Sequence, residues 1–213
     1  MKAMILAAGR GERMRPLTDT VPKSLLEVRG RPLIEHHLEA LSTAGFNEIV
    51  INLSWLGNQV RDHLGNGSDF NLAIEYSDEP EALETAGGIL RALPLLGERF
   101  IVVNADIFTD YDFARLQRLD SRAHLVLVEN PQHQPDGDFS LAESTVGTNG
   151  LPRYTFSGIS QFHRSFFDGL LPGKRALAPL LHTAAEQQQV TGELFTGVWS
   201  DIGTLERLQA LND

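Results

Sequence analysis

Residues 2–8 form a short apolar run that stops at Gly9, which predicts a buried strand emptying into a turn. Gly9-Arg10-Gly11 supplies that turn. Without Cβ atoms, its glycine N–H groups can face an anion at close range. Arg13, Arg15 and Lys23 follow, with Pro16 and Pro22 among them. The prolines make a continuous helix unfavourable, so the basic side chains belong to a loop. A strand, a glycine turn and a basic loop, in this order, meet the requirements of a polyphosphate site.

The rest of the chain alternates. Leu33, Ile34, His37, Leu38 and Leu41 predict a helix over 31–44, with Pro32 near its start and Gly45 as its stop. Strands are expected over 48–53, 72–76, 100–103 and 125–128. Between them come helices over 55–64, 86–93 (capped by Thr85) and 110–119. Residues 130–152 are turn-rich and read as excursions over the substrate side. A strand over 154–162 and closing helices over 175–187 and 204–211 complete the pattern. The alternation implies an α/β, three-layer, Rossmann-like fold around a mainly parallel, mixed central sheet, expected as one domain over 1–213. Ligands on such sheets bind beyond the carboxyl ends of the strands, where both Gly9 and Asp106 fall.

Charge sharpens this picture. The net charge is −10, yet residues 1–31 hold seven Lys/Arg and three Asp/Glu, a local +4. Screening over about 10 Å removes the repulsion of distant carboxylates, while a basic loop acts at contact range. The distribution argues against a nucleic-acid polymer, which needs an extended basic face. The chain has no cysteine, hence no disulfide and no thiolate metal site. No targeting segment or membrane-length apolar run is visible, so a cytoplasmic protein with no membrane partner is expected. Oligomeric state is not legible, with a monomer the working expectation.

Two familiar phosphate motifs are excluded. A dinucleotide fingerprint needs glycine at position 14, which is Met14, and this disfavours a nucleotide-binding oxidoreductase. A P-loop needs Gly-Lys-Ser/Thr, whereas Lys23-Ser24 follows Pro22.

LAAGRGERMRPLT followed by PKSLLEV resembles the opening of the sugar-1-phosphate nucleotidylyltransferases. Gly9, Gly11, Arg13, Pro16 and Lys23 fall on the family pattern, while Glu12 replaces a usual Thr and Ser24 a common Pro. The resemblance implies a catalytic domain without the C-terminal β-helix that many relatives carry. It also implies that Leu6, Ala8, Gly9, Gly11, Glu12, Arg13 and Lys23 bind a nucleoside triphosphate, with Arg13 and Lys23 catalytic. Leu83-Glu84-Thr85-Ala86-Gly87-Gly88 matches the family's Gly-Thr-Ala-Gly loop, which places Glu84, Thr85, Gly87 and Gly88 against the nucleobase. Glu84 stands where many relatives have Gly, and it reads equally as an acceptor for a base N–H and as a solvated side chain.

Asn104-Ala105-Asp106 and Trp199-Ser200-Asp201-Ile202-Gly203-Thr204 resemble the family's two metal-holding segments, so Asp106 and Asp201 are the expected Mg²⁺ ligands. Two carboxylates plus phosphate oxygens and waters suit Mg²⁺, which rarely uses an all-protein cage. Each aspartate alone also reads as a turn or cap residue. Asn104, Asp138, Ser157 and Gly158 are the expected sugar contacts. The seven histidines form no ligand cluster, since adjacent His36 and His37 point about 100° apart on a helix.

The reaction implied is attack by a sugar-1-phosphate oxygen on the α-phosphorus of a nucleoside triphosphate, which needs no general base because the nucleophile is already anionic. LETAGGI, NPQHQPDGDF, FSGIS, KRALAPLL and GELFTGVWSDIGT resemble the single-domain uridylyltransferases that act on N-acetylmuramic acid 1-phosphate in peptidoglycan recycling. UTP and that sugar 1-phosphate are therefore the expected partners. A lactyl carboxylate needs a cation or donors, and Arg153, Lys174 and Arg175 are available, though each also reads as a surface charge. A glucose-1-phosphate or mannose-1-phosphate transferase is the alternative. A non-catalytic relative would be expected to have lost Lys23, Asp106 or Asp201, and all three are present.

Overall fold

The computed structural model describes all 213 residues. Strand β1 (Lys2–Leu6) leads into the glycine turn, and a small hairpin of β2 (Glu27–Val28) and β3 (Arg31–Pro32) ends the basic loop. Helix α1 (Leu33–Thr43) starts directly after Pro32, and Gly45, at φ +87°, lets the chain leave it. Then come β4 (Glu48–Leu53), α2 (Gly57–Leu64), β5 (Ala73–Asp78), α3 (Glu84–Ala92), β6 (Arg99–Asn104), β7 (Ile107–Thr109) and β8 (Ala123–Val128). The second half holds β9 (Phe139–Ala142), β10 (Thr145–Gly147), β11 (Arg153–His163), α4 (Ala178–Glu186), β12 (Thr191–Phe195), β13 (Trp199–Asp201) and α5 (Leu205–Asn212).

Nine strands make one sheet in the order β5-β4-β1-β6-β11-β8-β12-β10-β9. The first four are parallel, as crossover helices require. Strand β11 runs antiparallel between β6 and β8, so the sheet is mixed. Period-two alternation splits the core into two layers. On one face Ala3, Ile5, Ile101 and Val103 meet Ile34, Leu38 and Leu41 of α1 and Val60 and Leu64 of α2. On the other, Met4, Val50, Phe100 and Val102 meet Ala86, Ile89 and Ala92 of α3 and Leu181, Ala184 and Ala185 of α4. No helix is long and apolar enough to cross a membrane.

A third, smaller core holds the functional loops. Met14, Leu26, Val28, Leu33, Phe108 and Ile202 are buried together, with Leu205, Leu208 and Leu211 of α5 against them. Full burial of Met14 contributes about 1.5–3 kcal/mol, and it anchors the basic loop to the C-terminal segment. Asn212 completes the attachment: its side chain accepts from Arg29 N at 2.6 Å and donates to Glu27 O at 3.1 Å.

Three local expectations are corrected. Residues 113–118 form 3-10 turns rather than an α-helix, with Asp112 as the cap, its side chain accepting from Ala114 N. The turn-rich stretch contains the hairpin β9–β10, which extends the main sheet. Thr85 does not cap α3. The helix begins at Glu84 with no side-chain cap, and the amides of Ala86 and Gly87 donate instead to Arg175 O at 3.0 and 3.1 Å.

Candidate active site

Leu6 pairs with Asn52 on one side and Asn104 on the other, so three strand ends stand level at the carboxyl edge of the sheet. Above this edge opens a cleft of about 440 Å³. Leu6, Ala7, Ala8, Gly9, Gly11, Glu12, Arg13, Lys23 and Ser24 line one side. Asn52, Glu79, Ala82, Glu84 and Thr85 line a second, and Asn104, Ala105, Asp106 and Gly203 a third.

The glycine turn has the geometry its sequence requires. Gly11 lies at φ +69°, and a Cβ there would come within 3.0 Å of Thr18 Cγ2 and 3.3 Å of Lys23 Cδ. The Thr18 hydroxyl and the Met14 amide both donate to Gly11 O at 2.9 Å, which fixes the turn. Arg13 makes no ion pair with a carboxylate and stays available to an anion. Arg15 is held by Asp19 at 2.8 Å, and Arg10 stacks on Trp55 at 4.2 Å. The basic side chains of the loop thus divide between scaffold and cleft.

Lys23 Nζ reaches Asp106 Oδ2 at 2.5 Å across the cleft. Asp201 lies beside this pair, although it does not line the cleft. Its strand pairs with β7 in the register Asp201↔Ile107, and Ile202 N donates to Asp106 O at 2.7 Å. Asp201 Oδ1 is 3.1 Å from His133 Nε2, and its Oδ2 accepts from Arg207. The resemblance implies Mg²⁺ here. Asp106, in the turn before β7, and Asp201, on the strand paired with β7, offer carboxylate oxygens of the kind that a hard cation retaining waters and phosphate ligands would take.

The remaining predicted residues fall in different places. Glu12, Glu84, Thr85 and Asn104 line the cleft. Gly87 and Gly88 are buried beneath it: a Cβ at Gly87 would strike the Gly173 carbonyl, and one at Gly88 would meet Glu79 Oε1 at 2.5 Å and Asn52 Nδ2 at 2.8 Å. Gly158, at φ +82°, forms the bulge of β11 where a Cβ would lie 2.6 Å from Asn104 Nδ2. Ser157 locks the same bulge, donating to Val126 O at 2.7 Å while its carbonyl accepts from Trp199 Nε1 at 2.9 Å. Asp138 accepts from Phe156 N at 2.8 Å and Gln134 Nε2 at 2.7 Å, so both oxygens are engaged within the chain. Arg153 donates to the carbonyls of Asp136, Gly137, Asp138 and Thr148. Lys174 Nζ stands 3.8 Å from Glu84 Oε1.

Sequence reasoning misses Asn52, Glu79 and Ser24 as cleft residues. A polar Asn near the end of the apolar run EIVINL is the available signal for the first. Glu79 gives none, since an acidic residue before Pro80 reads as ordinary loop chemistry.

Comparison with known proteins agrees with this geometry. The Nucleotidyl transferase family model matches residues 2–143. The chain is 56% identical to the N-acetylmuramate alpha-1-phosphate uridylyltransferase of Neisseria meningitidis serogroup B, over 98% of this chain and 96% of that protein. It is 31% identical to a mannose-1-phosphate guanyltransferase of Schizosaccharomyces pombe, over 95% of this chain but 61% of that longer protein. Among solved structures, a Bacillus anthracis chain provisionally assigned as a glucose-1-phosphate thymidylyltransferase superposes with a TM-score of 0.88 at 23% identity, covering 100% of this chain and 94% of that one. The last likeness concerns the fold alone, whereas the family match and the end-to-end identity reach the functional loops. On those two findings the chain belongs to the nucleotidyl transferase family, among the enzymes that join a nucleoside triphosphate to a sugar 1-phosphate.

Proposed function

We propose that this enzyme condenses UTP with N-acetylmuramic acid α-1-phosphate, giving UDP-N-acetylmuramic acid and pyrophosphate. The observation that carries the reading is the 56% identity spread over 98% of the chain, against a protein of that activity. The reading places the enzyme in peptidoglycan recycling, where a sugar-phosphorylating step must supply its substrate.

In this reading a sugar-phosphate oxygen attacks the α-phosphorus, the new P–O bond forms, and the bond to the β-phosphate bridging oxygen breaks. No proton transfer is needed, so positioning and charge neutralisation supply the catalysis. The Gly9–Gly11 turn and Arg13 hold the β- and γ-phosphates. Lys23 stands between the α-phosphate and the sugar phosphate and offsets charge on both as they close. Asp106 orients the Lys23 ammonium, and Arg207 and His133 orient Asp201. Mg²⁺, when bound by Asp106 and Asp201, would neutralise phosphate oxygens. Leu6, Ala8, Glu12, Glu84 and Thr85 complete the nucleotide end, and Asn104, supported by the Gly158 bulge, faces the sugar.

The test is pyrophosphate release from UTP with N-acetylmuramic acid, N-acetylglucosamine, glucose and mannose 1-phosphates, with and without a chelator. Preference for the muramic acid substrate and loss of turnover on chelation are expected. Activity with a different sugar alone would discard the substrate assignment, and undiminished activity in chelator would discard the metal.

A further inference from the structure

Arg13, Lys23 and the glycine turn line the cleft together with Glu12 and Asp106, and Asn52, Glu79, Glu84 and Thr85 line it beside the start of α3. In the nucleotide-binding reading, the end of the cleft at the start of α3 takes the nucleobase. Beneath that end lies a buried chain of hydrogen bonds that none of the roles above uses. Ala7 N donates to Asn52 Oδ1 at 2.8 Å. Asn52 Nδ2 donates to Glu79 Oε1 at 2.7 Å, and Glu79 Oε2 accepts from Leu83 N at 2.9 Å. Asn52 is 3% exposed and Glu79 5%.

We infer that Asn52 and Glu79 are a positioning pair that sets the width of the nucleobase end by tying the backbone after β1 to the backbone that opens α3. The inference rests on the nucleotide-binding reading of this cleft. A buried carboxylate is costly unless fully hydrogen-bonded, and an apolar residue would often fill such a site as well. Here both oxygens are satisfied, and their partners lead to opposite walls. The Ala7 amide follows the last ladder residue of β1, and Leu83 precedes the helix whose first turn lines the cleft. Gly88 shows how closely the pair is packed, because a Cβ there would press on both side chains at once. Both side chains are almost wholly buried and both Glu79 oxygens are engaged within the chain, so each acts through the backbone it holds.

The donor–acceptor order gives a specific test. In Glu79→Gln, an amide N–H replaces an acceptor and faces either Leu83 N–H or an Asn52 donor, and no flip of either amide removes the conflict. Asn52→Asp places a second carboxylate against Glu79. The double variant Asn52→Asp/Glu79→Gln reverses the polarity of the central bond and satisfies every group again. The new carboxylate at position 52 accepts from Ala7 N and from the new amide at position 79, whose oxygen accepts from Leu83 N.

Steady-state kinetics with UTP and the preferred sugar 1-phosphate, beside melting curves, read the outcome. Each single variant is expected to raise the KM for UTP at least tenfold with the KM for the sugar phosphate within about twofold. The double variant is expected to return the UTP KM to within about threefold of the parent. Unchanged UTP KM in the single variants overturns the inference. So does a double variant that melts like the parent yet binds UTP as poorly as the singles, or an equal rise in both KM values. If the parent turns over no sugar phosphate, calorimetric titration with UTP, CTP, dTTP and GTP separates the two readings. Binding of one nucleotide that follows the same single-and-double pattern supports the pair while discarding the proposed reaction, and binding of none overturns both.

Discussion

Lys23 Nζ lies 2.5 Å from Asp106 Oδ2, bringing together two residues 83 positions apart in the chain. The lysine rides on a loop anchored by Met14 and Leu26, and the aspartate follows the buried strand β6. Neither carries the fold. Lys23→Ala and Asp106→Ala are each expected to lower turnover by about 10²–10³-fold, the scale of losing one preorganised electrostatic group. Melting temperatures should stay close to the parent value. Near-normal turnover in either variant would remove that residue from the mechanism.

Glu84 occupies φ +59°, a left-handed conformation at the first residue of α3. A non-glycine residue there carries about 1–2 kcal/mol of strain. Glu84→Gly relieves it at a similar entropic cost, so its melting temperature should equal or exceed the parent's. Glu84→Val should melt lower, because a β-branched residue fits this region worst. Thermal denaturation of the two variants side by side checks the ordering, and a glycine variant less stable than the valine one would refute it.

His37 is fully enclosed on α1, and burial pushes its pKa down to about 4. Unfolded, the same group titrates near its ordinary value of about 6.5. Above that pH both states are neutral and the residue adds no pH dependence to stability. Below it the unfolded chain takes a proton that the native chain refuses until about pH 4. Stability is therefore lost as pH falls through this window, by at most about 3 kcal/mol. Urea denaturation at pH 7.5, 5.5 and 4.5 should show a shallower decline in His37→Leu than in the parent. Parallel declines would mean that other groups dominate acid unfolding.

Arg153 donates to four backbone carbonyls of the excursion around residues 136–148. Its charge is spent on holding that excursion rather than on reading a carboxylated sugar. Arg153→Ala should lower stability by about 2–3 kcal/mol. The ratio of KM values for N-acetylmuramic acid and N-acetylglucosamine 1-phosphates should stay the same. A selective rise for the muramic acid substrate would restore Arg153 as a specificity residue.

The strand–turn–basic loop and the alternating layers are legible in the sequence because they rest on local rules: apolar period, glycine at positive φ and proline breaks. Residues 110–119 mislead because Phe113 and Leu116 are both buried at i,i+3, a spacing shared by α and 3-10 helices. The start of α3 misleads because its orphan amides find a non-local acceptor, Arg175 O, which no nearby sequence announces. Gly87 and Gly88 announce close approach, but the approaching groups come from residues 173, 79 and 52. The β9–β10 hairpin is hidden by its brevity, with strands of four and three residues set among turn formers.

That hairpin joins the far margin of the sheet, and the excursion carrying it makes no hydrogen bond or ion pair with Asn52, Glu79 or Lys23. The tip of the excursion is consequently uncoupled from the hydrogen-bonded pair under the cleft, although His133 at its start reaches Asp201. Residues 143–150 line none of the cleft and can be exchanged without altering its walls, while the closely packed glycines beneath it resist almost any replacement. A chain built on this plan accepts change at that margin far more readily than beneath its cleft.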